Sequence, residues 1–213
     1  INLNDTTTTP RKIFFVLGES ANREHLSLYG YPTPTTPFLD SIAQALPSQI
    51  NHYNAIAPAT LTRDAVRIIL TFATPRDIRP FFSKKSMIEL AGIAGYKTYW
   101  ISNQEIGTLV NVIQAKASET IFDLDKVGSK DDLNLIPIIQ KNYRDDEKQL
   151  FLIHLNGSHM SYSYKYDDID KIAIPGNNSI TNEYDRSIHH TDRVLKEIYN
   201  IARKDSTAII YYV

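Results

Sequence analysis

Apolar residues along this chain follow two alternating rhythms: short unbroken runs, and longer stretches where they recur every three or four positions. Residues 12–17, 97–102, 150–156 and 207–213 are runs of the first kind. Continuous apolar character, rich in β-branched and aromatic residues, predicts strands buried on both faces. The last three have the composition expected of central strands. Residues 37–46, 63–72, 86–94, 133–143 and 183–203 are amphipathic at helical spacing. Ser83 or Ser86 and Asp131 stand where helix N-caps are expected, and Gly95 where a helix should stop. Strand and helix in alternation predict an α/β fold, a mostly parallel central sheet with helices on both faces. Residues 161–180 show little periodicity and read as a long surface loop, a kind of segment that often carries function.

Composition narrows the partners. At 213 residues the chain is long enough for one large α/β domain. A formal net charge of −1, with no long run of like charge, supplies none of the basic field that nucleic acid requires. The absence of cysteine excludes a disulfide framework, a thiolate metal site and a cysteine nucleophile. It suits a reducing compartment, and equally an oxidising one in which stray thiols are a liability. No apolar stretch approaches the roughly 18 residues that span a bilayer. Residues 1–10, INLNDTTTTP, are polar and threonine-rich without an initiator Met, and are expected to be a linker from something upstream, with residues 11–213 forming the domain.

The candidate chemistry sits where strand patterns end. The run at 13–17 stops on Gly18-Glu19-Ser20. A carboxylate there lies on the edge of an α/β sheet where ligands usually bind, so Glu19 is a candidate metal ligand or catalytic acid. The alternative is a plain turn in which Ser20 or Asn22 caps the next segment. Thr62 opens a pattern with Val66, Ile69, Leu70 and Ala73 on one face, as the N-cap or first residue of a helix. The N–H groups and dipole at that end favour an anion, so a hydroxyl there could attack phosphorus while the helix holds the developing charge. A Thr in this place also serves as a simple cap, and Arg63 and Asp64 read as solvated charges.

In residues 152–159, LIHLNGSH, His154 lies inside the strand and is expected to be a satisfied core histidine. His159 lies past the strand's end, on the ligand-binding edge. His189 and His190 are neighbours in a helix, about 100° apart around its axis. They are expected to be surface or partly buried residues that do not share a site, with Asp185 and His189 as an i,i+4 pair. Glu19, Thr62 and His159, each on its own βα unit, are expected to converge at one sheet edge. A glutamate and a threonine alkoxide are hard oxygen ligands for a divalent cation, and histidine suits a bound phosphate or zinc. That set describes metal-assisted phosphoryl or sulfuryl transfer through a covalent threonine intermediate.

Four segments carry a resemblance over nearly the whole chain: GESANREHLSLYGYPTPTTPFLD at 18–40, APATLTRDAVRIILTFATP at 57–75, LFLIHLNGSHMSY at 150–162 and NEYDRSIHHTDRVLKEI at 182–198. In this order they resemble the phosphoethanolamine transferases of the alkaline phosphatase/sulfatase superfamily, which act on lipopolysaccharide of Gram-negative bacteria. The resemblance implies that Glu19 binds zinc, that Thr62 rather than Thr60 is nucleophile and metal ligand, and that His159 contacts the phosphoethanolamine. It implies phosphatidylethanolamine as donor, a lipopolysaccharide sugar as acceptor, and a periplasmic domain anchored in the inner membrane by an upstream transmembrane domain. Zinc is the expected cofactor, although an oxygen-rich site also accepts Mn2+ or Ca2+.

Two departures shape that expectation. The lipid A-modifying branch brackets its nucleophile with cysteines, which this chain lacks, so the Thr62 segment looks more like the branch that decorates core heptose or related sugars. The family's Ser-Asp-His-Gly-Glu motif, whose Asp and His complete the metal site, follows the strand corresponding to 207–213. It is therefore expected beyond Val213, and the chain by itself is expected to bind zinc weakly or not at all and to turn nothing over. Rival readings are a sulfatase, a phosphoglycerol transferase with the same Glu and Thr logic, or a non-catalytic periplasmic binding module. Sulfatases need a Cys/Ser-x-Pro-x-Arg motif, which residues 60–67 lack, and the residues after Val213 separate enzyme from binding module. Tyr162, Tyr164 and Tyr166 are read either as lipid or sugar contacts or as loop packing.

Overall fold

Five strands pair in the order β3-β2-β4-β1-β5: β1 (Lys12–Leu17), β2 (Lys97–Ser102), β3 (Glu119–Phe122), β4 (Gln149–His154) and β5 (Thr207–Tyr212). All the pairings are parallel, as the strand–helix alternation predicts. This computed structural model describes residues 9–104, 111–122, 131–203 and 206–213. The expected linker at 1–10 lies almost wholly outside them. Leu17 pairs with both His154 and Tyr212, so β1, β4 and β5 end in one row, and the loops that follow leave from the same edge of the sheet.

β4 is buried at all six positions, as its unbroken apolar run requires. β5 departs from expectation: among the described residues it is an edge strand, with Ile209 38% and Ile210 44% exposed. The four-residue β3 is too short to leave a pattern that the sequence alone could reveal.

The helices divide between the two faces. On one, α1 (Pro37–Ala45), α6 (Leu135–Asn142) and α8 (Ile180–Ala202) bury Phe14, Val16, Tyr99, Phe151, Ile139, Val194 and Ile198. On the other, α2 (Thr62–Ile69), α4 (Met87–Ile93) and α5 (Asn111–Gln114) cover Phe15, Leu17, Trp100, Leu150 and Leu152. Each such side chain contributes roughly 1.5–3 kcal/mol from burial, so the sheet is clamped from both sides. Ser86 caps α4 in a reciprocal box with Glu89, as expected. Asp131 caps a 3-10 turn (Asp132–Asn134) that leads into α6. Between α2 and α4 lies a one-turn helix, α3 (Arg79–Ser83).

The stretch at 161–180 is not a plain loop. It holds a 3-10 turn (Tyr162–Tyr164) and α7 (Asp168–Ala173). The apolar residues of α7, Ile169 and Ile172, are 57% and 79% exposed. A helix whose apolar side chains face outward leaves no buried-face periodicity to read. Tyr164 is exposed, whereas Tyr162 packs on Tyr184 with ring centroids 5.0 Å apart.

Candidate active site

β1 delivers Glu19 to the sheet edge through Gly18, where a side chain has no room. A Cβ there would stand 2.8 Å from the Tyr211 ring and 3.0 Å from the Val213 Cβ. Just beyond, Ser20 takes the left-handed conformation (φ 54°), which costs a non-glycine residue roughly 1–2 kcal/mol. The turn is held by Tyr184 of α8, whose hydroxyl donates to the Ser20 carbonyl (2.8 Å) and accepts from the Asn22 N–H (2.6 Å). Asn22 in turn caps the 3-10 turn Arg23–His25, one of the two readings open from the sequence. Strain held in place by an aromatic clamp beside a candidate catalytic carboxylate is the pattern expected of a functional site.

Thr62 is the first residue of α2, following Leu61 in extended conformation. Its hydroxyl donates to Glu19 Oε2 at 2.8 Å, while Ser20 Oγ donates to Glu19 Oε1 at 3.0 Å. Two residues 43 positions apart thus meet, and the hydroxyl lies at the positive end of a helix. Arg63 is a solvated charge whose Nε stands 3.4 Å from Asp64.

His159 lies on the loop after β4, exposed, with Nδ1 2.9 Å from the Met160 carbonyl. That loop is pressed onto the Glu19 backbone: Ser158 N–H donates to Glu19 O at 3.0 Å. The structure therefore joins Glu19 to Thr62 by a side-chain bond and brings the His159 loop, by its backbone, to the same edge. Glu19 and Thr62 are the right donors in kind for a hard divalent cation. They are two of the roughly four ligands a tetrahedral zinc needs.

Three readings of histidine change. His154 is buried, as expected, but not satisfied: neither ring nitrogen has a hydrogen-bond partner, and Trp100 packs edge-on at 6.0 Å. Burial pushes its pKa down to about 4, so it stays neutral. His189 and His190 are buried rather than at the surface, and they do share a partner. His189 Nδ1 donates to Asp170 Oδ1 (2.6 Å) and His190 Nδ1 to Asp170 Oδ2 (2.8 Å). The roughly 100° between them is spanned by the two oxygens of one carboxylate. Asp185 pairs instead with His25 Nδ1 (2.7 Å) and the Tyr31 hydroxyl (2.9 Å).

Asp167, Asp170 and His190 bring ligand-type atoms within 4.8 Å of one another, a composition that invites a metal. Arg193 already supplies the cation there, donating from Nη1 to Asp167 Oδ1 (2.7 Å) and Asp170 Oδ2 (2.9 Å). His190 Nε2 donates to Asp131 Oδ1 (2.9 Å), so both ring nitrogens donate to carboxylates and the ring is an imidazolium. Burial alone would lower its pKa, but the bonds to Asp131 and Asp170 outweigh this and raise it to about 9. Burial likewise opposes ionisation of Asp170, yet the two histidines hold its pKa far below the carboxylate range. The cluster is a closed ion network that ties α7 to α8.

Sequence reasoning missed Tyr184 and Asp132. Asp132 is buried and accepts N–H groups from Asn156 and Gly157 (both 2.8 Å). Burial pushes its carboxyl up against those donors, which favour the ionised form. Both residues bond to segments far away in sequence, 162 and 24 positions off, and no local pattern marked them.

The sulfatase family profile matches residues 11–212. Phosphoethanolamine transferase EptC of Escherichia coli O18:K1:H7 is 28% identical over 214 residues, covering 92% of this chain and 37% of that protein. The putative transferase YhbX of Escherichia coli K12 is 31% identical over 207 residues, covering 92% and 36%. The chain thus spans about a third of the length of these relatives. The crystal structure of the C-terminal periplasmic domain of EcEptC from Escherichia coli, solved also in complex with Zn, superposes with a TM-score of 0.87 at 26% identity, covering 97% of this chain and 64% of that one. With β1, the Glu19 turn, α2, β4 and β5 all inside the matched span, the chain belongs to the sulfatase family.

Proposed function

We propose that the protein carrying this chain transfers phosphoethanolamine from phosphatidylethanolamine to a sugar of lipopolysaccharide, through a covalent intermediate on Thr62. The observation that carries this reading is the 2.8 Å bond from the Thr62 hydroxyl to Glu19, at the start of a helix and the end of a strand. The relatives named phosphoethanolamine transferase support the group transferred. The want of a Cys/Ser-x-Pro-x-Arg motif at residues 60–67 argues against sulfate-ester hydrolysis.

Glu19 and Thr62 would hold a zinc ion, in keeping with the relative solved with Zn. A bound divalent cation supplies Lewis acidity at the phosphoryl oxygens and a lowered pKa for a coordinated hydroxyl. Glu19 orients the Thr62 hydroxyl and favours loss of its proton. Thr62 Oγ then attacks phosphorus, the bond to the diacylglycerol oxygen breaks, and diacylglycerol leaves with a proton. A sugar hydroxyl next attacks the phosphothreonyl phosphorus, gives up its proton, and frees Thr62. His159, on the same edge, hydrogen-bonds a phosphate oxygen or moves that proton.

A lipid donor places the domain beside a membrane, and the EcEptC domain is periplasmic by name. Among the described residues no helix is long and apolar enough to cross a membrane; an upstream transmembrane domain is proposed to anchor the protein in the inner membrane. In the full-length protein, Thr62→Ala should lower kcat by more than about 10³-fold, and mass spectrometry of the wild type incubated with donor alone should show phosphoethanolamine on Thr62. Substantial residual turnover in Thr62→Ala, or a modified residue elsewhere, would remove Thr62 from the nucleophile role.

A further inference from the structure

Asp132 takes no part in the chemistry above, yet its carboxylate gathers three segments at the strand-end edge. It is 4% exposed. Oδ1 accepts from Asn156 N–H at 2.8 Å and from Asn103 Nδ2 at 2.9 Å, and Oδ2 accepts from Gly157 N–H at 2.8 Å. These donors belong to the loops after β2 and β4, while Asp132 itself opens the turn into α6. A buried carboxylate is costly unless its lone pairs are met, and here N–H groups meet both oxygens.

The loop it grips carries the contact with Glu19. Gly157 has φ +52° and lies so close to Glu19 that a Cβ would stand 2.9 Å from the Glu19 carbonyl oxygen and 3.0 Å from its nitrogen. The next residue, Ser158, donates its N–H to Glu19 O at 3.0 Å. Its hydroxyl is hydrogen-bonded to Ser187 Oγ of α8 at 2.9 Å, so the loop is pinned from another side as well. His159 follows directly.

We propose that Asp132 is a positioning residue of the strand-end site: its carboxylate sets the backbone of residues 156–158 against Glu19, and through it the placing of Glu19 and His159 relative to Thr62. The catalytic consequence rests on the phosphoryl-transfer reading, whereas the structural one does not. Asparagine at 132 keeps the shape but turns an NH2 group toward a backbone N–H, so one acceptor is lost and a like-to-like clash of donors replaces it. Displacement of a reacting group by about 1 Å is enough to cost on the order of 10²-fold in rate.

The test is Asp132→Asn in the full-length protein, read in two ways. Hydrogen exchange at the Gly157 and Ser158 amides should quicken by about 10-fold or more, with exchange in the β4 interior unchanged. In the transfer assay kcat should fall roughly 30–100-fold while KM for the lipid donor stays within about 3-fold. Ile139→Val, which thins the α6 core instead, is the control for mere loss of stability and should leave kcat unchanged. If Asp132→Asn does not fold, Gly157→Ala attacks the same contact from its other side and should give the same split between kcat and KM. Unchanged exchange at Gly157 overturns the proposal, as does an equal loss of kcat in Ile139→Val. Quickened exchange in a protein whose wild type transfers no phosphoethanolamine upholds the positioning role and removes the functional reading instead.

Discussion

Two clusters of polar side chains invite a functional reading, and they are built in opposite ways. At the sheet edge, Glu19 and Thr62 meet through one hydrogen bond beside solvent-exposed loops. Between α7 and α8, Asp170 is fully buried and engaged by His189, His190 and Arg193 together. By composition the helical cluster has more of the character of a metal centre. Its carboxylates, however, are already met by an imidazolium and a guanidinium, so a cation entering there would have to displace a guanidinium. The sheet-edge pair has oxygen ligands with capacity to spare. Satisfied networks hold folds together; the residues still able to bind are those whose partners are few.

That contrast can be broken by mutation. Asp170→Ala leaves a buried imidazolium and a guanidinium without their shared carboxylate, and should cost roughly 3–5 kcal/mol, seen as a melting temperature lower by about 10 °C. Thr62→Ala should change stability by less than about 1 kcal/mol while abolishing transfer. An Asp170→Ala protein that melts like the wild type would end the structural reading of the network.

Next in size is the pH dependence. The folded-state pKa of His190, about 9, lies above its unfolded value near 6.5. The stabilisation this carries, on the order of 3 kcal/mol by linkage, is fully present below pH 6.5 and is lost as pH rises through 9. The melting temperature should therefore decline between about pH 7 and 10, and His190→Asn should flatten that slope. An unaltered slope in the variant would place the titrating group elsewhere.

The smallest effect is expected from His154, which is buried with both nitrogens unpartnered. His154→Leu should stabilise the protein by roughly 1 kcal/mol, since an unmet polar group is replaced by an apolar one beside Leu17 and Trp100. Urea denaturation measures this directly. Destabilisation instead would show that the ring makes a bond the geometry does not reveal.

β1 and β2 keep the limits their apolar runs suggest, because a strand buried on both faces must be apolar throughout, and helix starts with a side-chain cap, such as Ser86, are equally legible. β3 and α7 are not: one is too short, and the other turns its isoleucines to solvent. The candidate site is half legible. Glu19, Thr62 and His159 stand out because each is polar at the end of an apolar pattern. Tyr184 and Asp132, which shape the turns around them, have nothing local to mark them, and their partners lie 162 and 24 residues away.

The local rhythm of the chain was sufficient to determine the α/β class, the parallel sheet and the positions where chemistry could sit, since burial and capping act on neighbours in sequence. Tertiary structure decided which polar residues are spent on one another. His189 and His190 were set around a single carboxylate, and Glu19 was brought to Thr62. Hydrogen bonds and ion pairs depend on positions in space to within a few tenths of an ångström, and only the folded backbone sets those.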